Sequence, residues 1–276
     1  MTTARCPGHV TCFFRPVDGP GGPVGSLGVG IRLSMGAVVS VEPRRDAKVD
    51  VTMDGAPHDA PITKRVLGRL MPGAGADVTV VNELPVGMGF GMTAAGAIAA
   101  GLCACGLLGL DEGMAYSAAN EAELALGGGR GDVAAIMSGF HVPVRIRAGM
   151  PPEGEVVDSG LTVPVLSLAV LGTQMPTGEV LGDPATLRRI RDAGDGLVDE
   201  FLENPSLDAV MSLSRGFSAA AGVESPEMSG FLDGMRGRAA MCMLGNSAFS
   251  PSVQRGGEWI ATLSSTDEPA RIIRKG

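Results

Sequence analysis

Aromatic side chains are scarce: one Trp and one Tyr in 276 residues leave little on which nucleic-acid bases could stack. Excess positive charge is lacking as well. Against 30 Asp and Glu stand 22 Lys and Arg, a formal net charge of -8, which argues against nucleic acid and anionic membrane as partners because both demand a basic surface. The N-terminal MTTARCPGH has no apolar segment of the secretory kind, so no such signal is expected. Five cysteines, Cys6, Cys12, Cys103, Cys105 and Cys242, are odd in number and lack zinc-site spacing; they read as reduced, mostly buried thiols in a cytoplasmic protein. A Gly-Lys-Ser/Thr phosphate motif is absent, and no strand-like run leads directly into a dinucleotide-type glycine fingerprint.

What the chain has is glycine, 42 residues of it, and a 45% hydrophobic composition, enough for one large domain or two lobes with a sizeable core. The organising stretch is Leu84 to Gly101, LPVGMGFGMTAAGAIAAG. Gly87, Gly89 and Gly91 can take backbone angles closed to other residues and so bend around an anion. From about Met92 the composition favours a helix whose first-turn N–H groups and dipole would point at whatever the glycines enclose. Thr93 falls in that turn, where its hydroxyl can reach a phosphate or its metal. No charge interrupts Leu84 to Leu110, but glycines break the run and no Lys or Arg anchors it, so it reads as a packed core helix and not a membrane span.

Around this loop, Arg5 to Phe14 mixes a Pro-Gly turn with a β-prone run, Gly25 to Gly30 reads as a second glycine loop, and Ile31 to Val41 reads as a strand. A strand is expected over Val49 to Met53, a helix over Ile62 to Leu70 and a strand over Asp77 to Asn82. A helix capped by Asp111 runs to about Leu126 and carries Glu121 and Glu123; being about 200° apart on the helix, only one of them can face the loop. Asp132 closes a glycine-rich turn, GGGRGD. HVPVRIR (141–147) alternates as a strand and puts Arg145 and Arg147 on one face. Pro151 to Thr162 is the best lobe boundary. Beyond it come a strand over Val163 to Leu171, helices over 184–202, 207–221 and 227–236, and strands over 259–263 and 270–274. Arg188, Arg189 and Arg191 read as a solvated charged face.

Pro85, Gly87, Gly89 and Gly91 before a hydroxyl resemble the second motif of the GHMP small-molecule kinases. CPGHVTCFF (6–14) closely resembles the N-terminal signature of the archaeal pantoate kinases, a GHMP subfamily; GSLGVGI (25–31) matches its next motif and AAMCMLGNSAFS (239–250) its third. The chain departs from the pattern at Met92-Thr93, where a Ser-Ser pair is usual, and at Cys6 and Cys12. The resemblance implies a two-lobed α/β (α+β) fold: an N-terminal α/β lobe over 1–160 with the ATP and substrate motifs, a C-terminal ferredoxin-like lobe over 161–276, and the active site between them. It also implies ATP-dependent phosphorylation of D-pantoate for coenzyme A synthesis, with ATP and Mg²⁺. On that likeness Pro85, Gly87, Met88, Gly89, Phe90, Gly91, Met92, Thr93 and Ala94 wrap ATP. Thr93 and Glu123, with Glu121 as fallback, bind the metal; Asp132 is the base; and His9, Ser26 and Arg145 bind the acceptor. A kinase of another GHMP acceptor (homoserine, shikimate or mevalonate) and a non-catalytic GHMP-fold binding protein are the alternatives. A homodimer is left open.

Overall fold

The computed structural model describes residues 1–175 and 177–275. Its first two strands, β1 (Thr2–Gly19) and β2 (Gly22–Arg44), form one long antiparallel hairpin. The Pro-Gly turn and the second glycine loop expected from sequence are therefore both strand. Glycine serves here for close approach: a Cβ at Gly36 would lie 2.0 Å from the Cys6 carbonyl oxygen and one at Gly30 2.1 Å from His9 Nε2. Register shifts between Pro7 and His9 and between Thr11 and Phe13 bend the ladder, as bulges do.

Next come β3 (Val49–Met53), β4 (Ala56–Pro57), α1 (Pro61–Leu70), β5 (Gly75–Asn82), α2 (Met92–Leu108), α3 (Gly113–Ala125), α4 (Asp132–Met137), β6 (Pro143–Arg147) and β7 (Glu155–Asp158). The second part holds β8 (Leu166–Val170), α5 (Thr177–Gly182), α6 (Pro184–Ala193), α7 (Leu197–Glu203), α8 (Leu207–Ala221), α9 (Pro226–Gly234), β9 (Ala240–Met241), β10 (Ser247–Ser250), β11 (Trp259–Leu263) and β12 (Arg271–Lys275). The larger sheet runs β12-β1-β2-β5-β3-β4, with β6 and then β7 added beside β2.

The long strands serve two cores. At one end Ala4, Cys6, Ala37, Val39 and Val41, with Val78 and Val80 of β5, pack on α1 to α3. At the other, Val10, Phe13, Val29 and Ile31 pack with the second sheet and its helices. Helix α2 is buried from Ala94 to Cys105, as an all-round apolar helix should be. Its Gly101 lets α3 come close, since a Cβ there would meet that of Ala115 at 2.9 Å. Among the described residues no helix is long and apolar enough to cross a membrane. Helix α3 begins at Gly113, two residues later than the expected cap, with Asp111 Oδ1 accepting from the Gly113 N–H at 2.8 Å.

The smaller sheet is antiparallel in the order β11-β8-β10-β9, the fourth-first-third-second order of a ferredoxin-like sheet. All five helices α5 to α9 lie between β8 and β9, while 251–258 crosses to β11 without one. The helix expected over 184–202 is broken into α6 and α7. Gly196 has φ 73, and Gly194 sits where a Cβ would lie 2.3 Å from the Phe14 carbonyl oxygen. The boundary expected at residue 160 falls between β7 and β8. The C-terminal β12, however, pairs with β1, so the end of the 161–276 segment lies in the larger sheet.

Candidate active site

The loop between β5 and α2 bends at Gly87, Gly89 and Gly91, with φ of 79, 76 and 68°. Side chains would collide there: a Cβ at Gly91 would lie 2.8 Å from the His9 carbonyl oxygen, and one at Gly89 3.0 Å from that of Cys242. Among the described residues no side chain caps α2, which leaves its first-turn N–H groups to an anion. Thr93 is exposed in that turn. Phe90, Met92 and Ala94 are nearly buried and support the loop from beneath. A cavity of about 330 Å³ opens over the loop. It is lined by most of the expected nucleotide residues but not by Pro85 or Met88.

Two acids face this cavity. Glu123, on α3, is 2% exposed; its Oε2 accepts the Gly129 N–H at 2.6 Å, while Oε1 is buried without a partner among the described residues. Burial, and then the charge of Asp132, push its carboxyl up to about 8, against the Gly129 hydrogen bond. Glu121 points elsewhere, to an ion pair with Arg69. The glycines of the turn fit around these acids. A Cβ at Gly128 would lie 1.9 Å from Glu123 Oε2 and one at Gly129 2.3 Å from Asp132 Oδ2.

Asp132 opens α4, and its Oδ1 lies 2.7 Å from His9 Nδ1 and 3.4 Å from the Thr11 hydroxyl. Burial lowers the His9 pKa against the hydrogen bond and charge of Asp132. The ring is therefore neutral and donates its Nδ1 proton to the carboxylate. Burial works to raise Asp132, but the His9 hydrogen bond, the charge of Arg145 and the Thr11 hydroxyl overcome it and hold the group ionised. His9 is fully buried and does not line the cavity; it stands behind the base, wedged between Gly30 and Gly91. That differs from the substrate contact expected of it, and the cause is the space those two glycines leave for the ring.

Arg145 pairs with Gly28 across β6 and β2. Its guanidinium is 2% exposed, and Nε, Nη1 and Nη2 all lack partners among the described residues. Ser26 and Gly131 line the cavity, and both adjoin this group: a Cβ on Gly131 would lie 2.5 Å from Arg145 Nε and 2.6 Å from Ser26 Oγ. Arg147, expected on the same face, points to solvent and pairs with Glu155, because the β6–β7 register shifts between the two arginines.

Sequence reasoning passed over Thr11, Gln174, Met243 and Leu244, all of which line the cavity. Thr11 carried a signal, since it shares a strand face with His9 two residues away. Gln174 Nε2 donates to the Val86 carbonyl at 3.0 Å, a contact between distant segments that no local pattern announces. Arg191 is not a solvated bystander: it pairs with Asp18 of the β1–β2 hairpin.

Comparison with known proteins agrees with this geometry. Residues 61–140 match the family described as GHMP kinases N terminal domain. A protein of Thermococcus kodakarensis named pantoate kinase is 32% identical over 265 residues, 91% of this chain and 87% of the relative. One of the same name from Methanospirillum hungatei is 30% identical over 260 residues, 90% and 86% of the two chains. Among solved structures, one titled "Phosphotransferase related to CoA biosynthesis pathway" superposes with a TM-score of 0.84 at 26% identity, covering 98% of this chain and 97% of that one. The homoserine kinase of Cytophaga hutchinsonii shares the fold with a TM-score of 0.67 at 16% identity, over 99% and 97% of the chains. A Gly-bent loop at a helix N-terminus, one buried and one part-buried acid, and relatives along nine-tenths of its length place this chain in the pantoate kinase family of the GHMP kinases.

Proposed function

We propose that the chain transfers the γ-phosphoryl group of ATP to the C4 hydroxyl of D-pantoate, giving 4-phosphopantoate and ADP for coenzyme A synthesis. The observation that carries this reading is the Arg145 guanidinium, buried without a partner beside Asp132. An unpaired buried cation is costly. A carboxylate is the planar, two-pronged acceptor that suits it, and here it would lie close to the base that activates an alcohol. Pantoate carries both groups on one short chain. Ser26, also buried and next to Arg145, supplies a further donor.

The first-turn amides of α2 and the amides of the glycine loop cradle the phosphates, and Thr93 offers its hydroxyl to them. Glu123 Oε1, buried and unpartnered, fits a hard cation, so Thr93 and Glu123 would hold Mg²⁺. Among the described residues no three His, Cys, Asp or Glu side chains are placed to hold a metal ion together. That suits a metal bound largely through one or two protein oxygens and substrate phosphates. When bound, the ion neutralises charge on the β- and γ-phosphate oxygens. Asp132, held ionised by neutral His9 and by Thr11, accepts the proton of the C4 hydroxyl. The alcohol oxygen bonds to the γ-phosphorus as the bond from that phosphorus to the bridging oxygen breaks, and ADP departs. Five buried free cysteines support a cytoplasmic setting.

The test is ADP release from ATP and Mg²⁺ with D-pantoate, homoserine, mevalonate or shikimate as acceptor. Turnover on pantoate at least tenfold above the others is expected. Faster turnover on homoserine overturns the acceptor.

A further inference from the structure

Among the described residues lining the cavity, Arg130 is the single basic one, and it stands against two acids, Glu123 and Asp132. That charge balance is poor for a site that holds a triphosphate while a phosphoryl group moves between two oxygens. Arg145 cannot mend it, because it sits on the Ser26 and Gly131 side of the cavity, where the acceptor's carboxylate would take up its charge. We infer that Arg130 is a catalytic residue whose guanidinium contacts the phosphoryl group during transfer and then the new phosphate of the product. The inference rests on the phosphoryl-transfer reading above but not on the identity of the acceptor.

The placement of Arg130 is fixed from both sides. It lies two residues before Asp132, between Gly129, whose N–H is bound by Glu123 Oε2 at 2.6 Å, and Gly131, packed on Arg145 and Ser26. Its backbone is therefore tied to the metal-side acid and to the acceptor-side cation. The side chain is 11% exposed and uses Nη1 to donate to Asp18 Oδ1 at 2.8 Å. The other oxygen of Asp18 is taken by Arg191 of α6. Two guanidinium groups thus share one carboxylate.

Among the described residues Arg130 makes its side-chain hydrogen bond through Nη1, with Nε and Nη2 left over. The pair is weakened by the exposure of its carboxylate and by the competing Arg191, whereas a fork of N–H donors matches phosphate oxygens well. Asp18 can therefore park the guanidinium between turnovers without holding it against a triphosphate. Because Asp18 belongs to the β1–β2 hairpin and Arg191 to the second lobe, the parked position lies at the join of the two lobes.

The test measures ADP binding with Mg²⁺, alone and with aluminium fluoride, whose AlF₄⁻ occupies the place of the transferring group without any acceptor chemistry. Wild type is expected to bind ADP more tightly with the fluoride. R130A is expected to bind ADP alone as wild type does, which also reports that it is folded, but to lose the tightening. R130K should recover only part of it. With acceptor present, R130A should lower kcat by about 10²–10³-fold, the usual cost of one donor to developing charge. D18N, which frees the guanidinium without removing it, should keep the fluoride effect. An R130A that tightens as much as wild type, or a D18N that loses the effect as fully as R130A, overturns the inference. A failed acceptor screen with an intact fluoride response leaves Arg130 in place and removes pantoate instead.

Discussion

Glu123 should make the metal-free protein less stable as pH rises, and the sign follows from its surroundings. Its ordinary value of 4.5 is pushed up to about 8 by burial and by the charge of Asp132. Between those two values the folded protein therefore holds a proton that the unfolded chain has released. Folding takes up protons in that window, and stability must fall with pH across it. One pKa unit is about 1.4 kcal/mol, so the full window is worth on the order of 5 kcal/mol, of which roughly 3.5 kcal/mol falls between pH 5 and pH 8. At about 2–4 °C per kcal/mol for a chain of this size, the apparent Tm should drop by roughly ten degrees between pH 5 and pH 8. Glu123→Gln is the matched control. The amide resembles the protonated acid, its oxygen can still accept from Gly129, and it does not titrate. Thermal melts without metal or nucleotide should therefore coincide for the two proteins near pH 5 and diverge above it, the variant being the more stable at pH 8. Adding Mg²⁺ and ADP should restore wild type more at pH 8 than at pH 6, because the cation takes the ionised form. Parallel curves for wild type and variant would refute the reasoning and show that Glu123 is already ionised in the free protein.

Arg145→Met should move stability and acceptor affinity in opposite directions. Removing an unpaired buried charge should raise Tm by about 3–8 °C while raising the KM for pantoate about ten- to a hundredfold; a destabilised variant would mean that the guanidinium serves the fold. Asp132→Asn should lower kcat by about 10²–10⁴-fold with ATP binding kept, and retention of more than a tenth of wild-type kcat would reduce the residue to a helix-opening acid. His9 should act through the base. Its Asn variant places a donor near the Nδ1 position and should keep most of the activity, whereas the Gln variant should lose kcat, shift the acid limb of the pH profile upward and leave the pantoate KM almost unchanged. A KM effect dominating in both His9 variants would return the ring to the acceptor side.

The phosphate loop, α2 and the candidate acids were legible because each is a local signal: alternating glycines, an apolar run and a carboxylate after a glycine turn. The resemblance of CPGHVTCFF then supplied what local patterns lack, a family and a substrate class. Illegible were features fixed by distant contacts. Gly30 looks like a loop residue, yet it is a strand position where His9 comes too close for a side chain. Periodicity put Arg147 beside Arg145, and the irregular β6–β7 register undid it. Helix geometry left Glu121 and Glu123 equal; Arg69 on α1 draws off the first and the Gly129 amide holds the second. Arg191 carried no sign that its partner, Asp18, lies 173 residues earlier in the chain.

The central claim is that a buried arginine without a partner reads the acceptor's carboxylate while Asp132 activates its primary hydroxyl. The most direct measurement is kcat/KM for D-pantoate and for its neutral amide, which keeps both alcohols, in wild type and in Arg145→Met. The account predicts a preference for pantoate of about ten- to a hundredfold in wild type, falling to near unity in the variant. An equal preference in the two proteins would place the carboxylate elsewhere and contradict it.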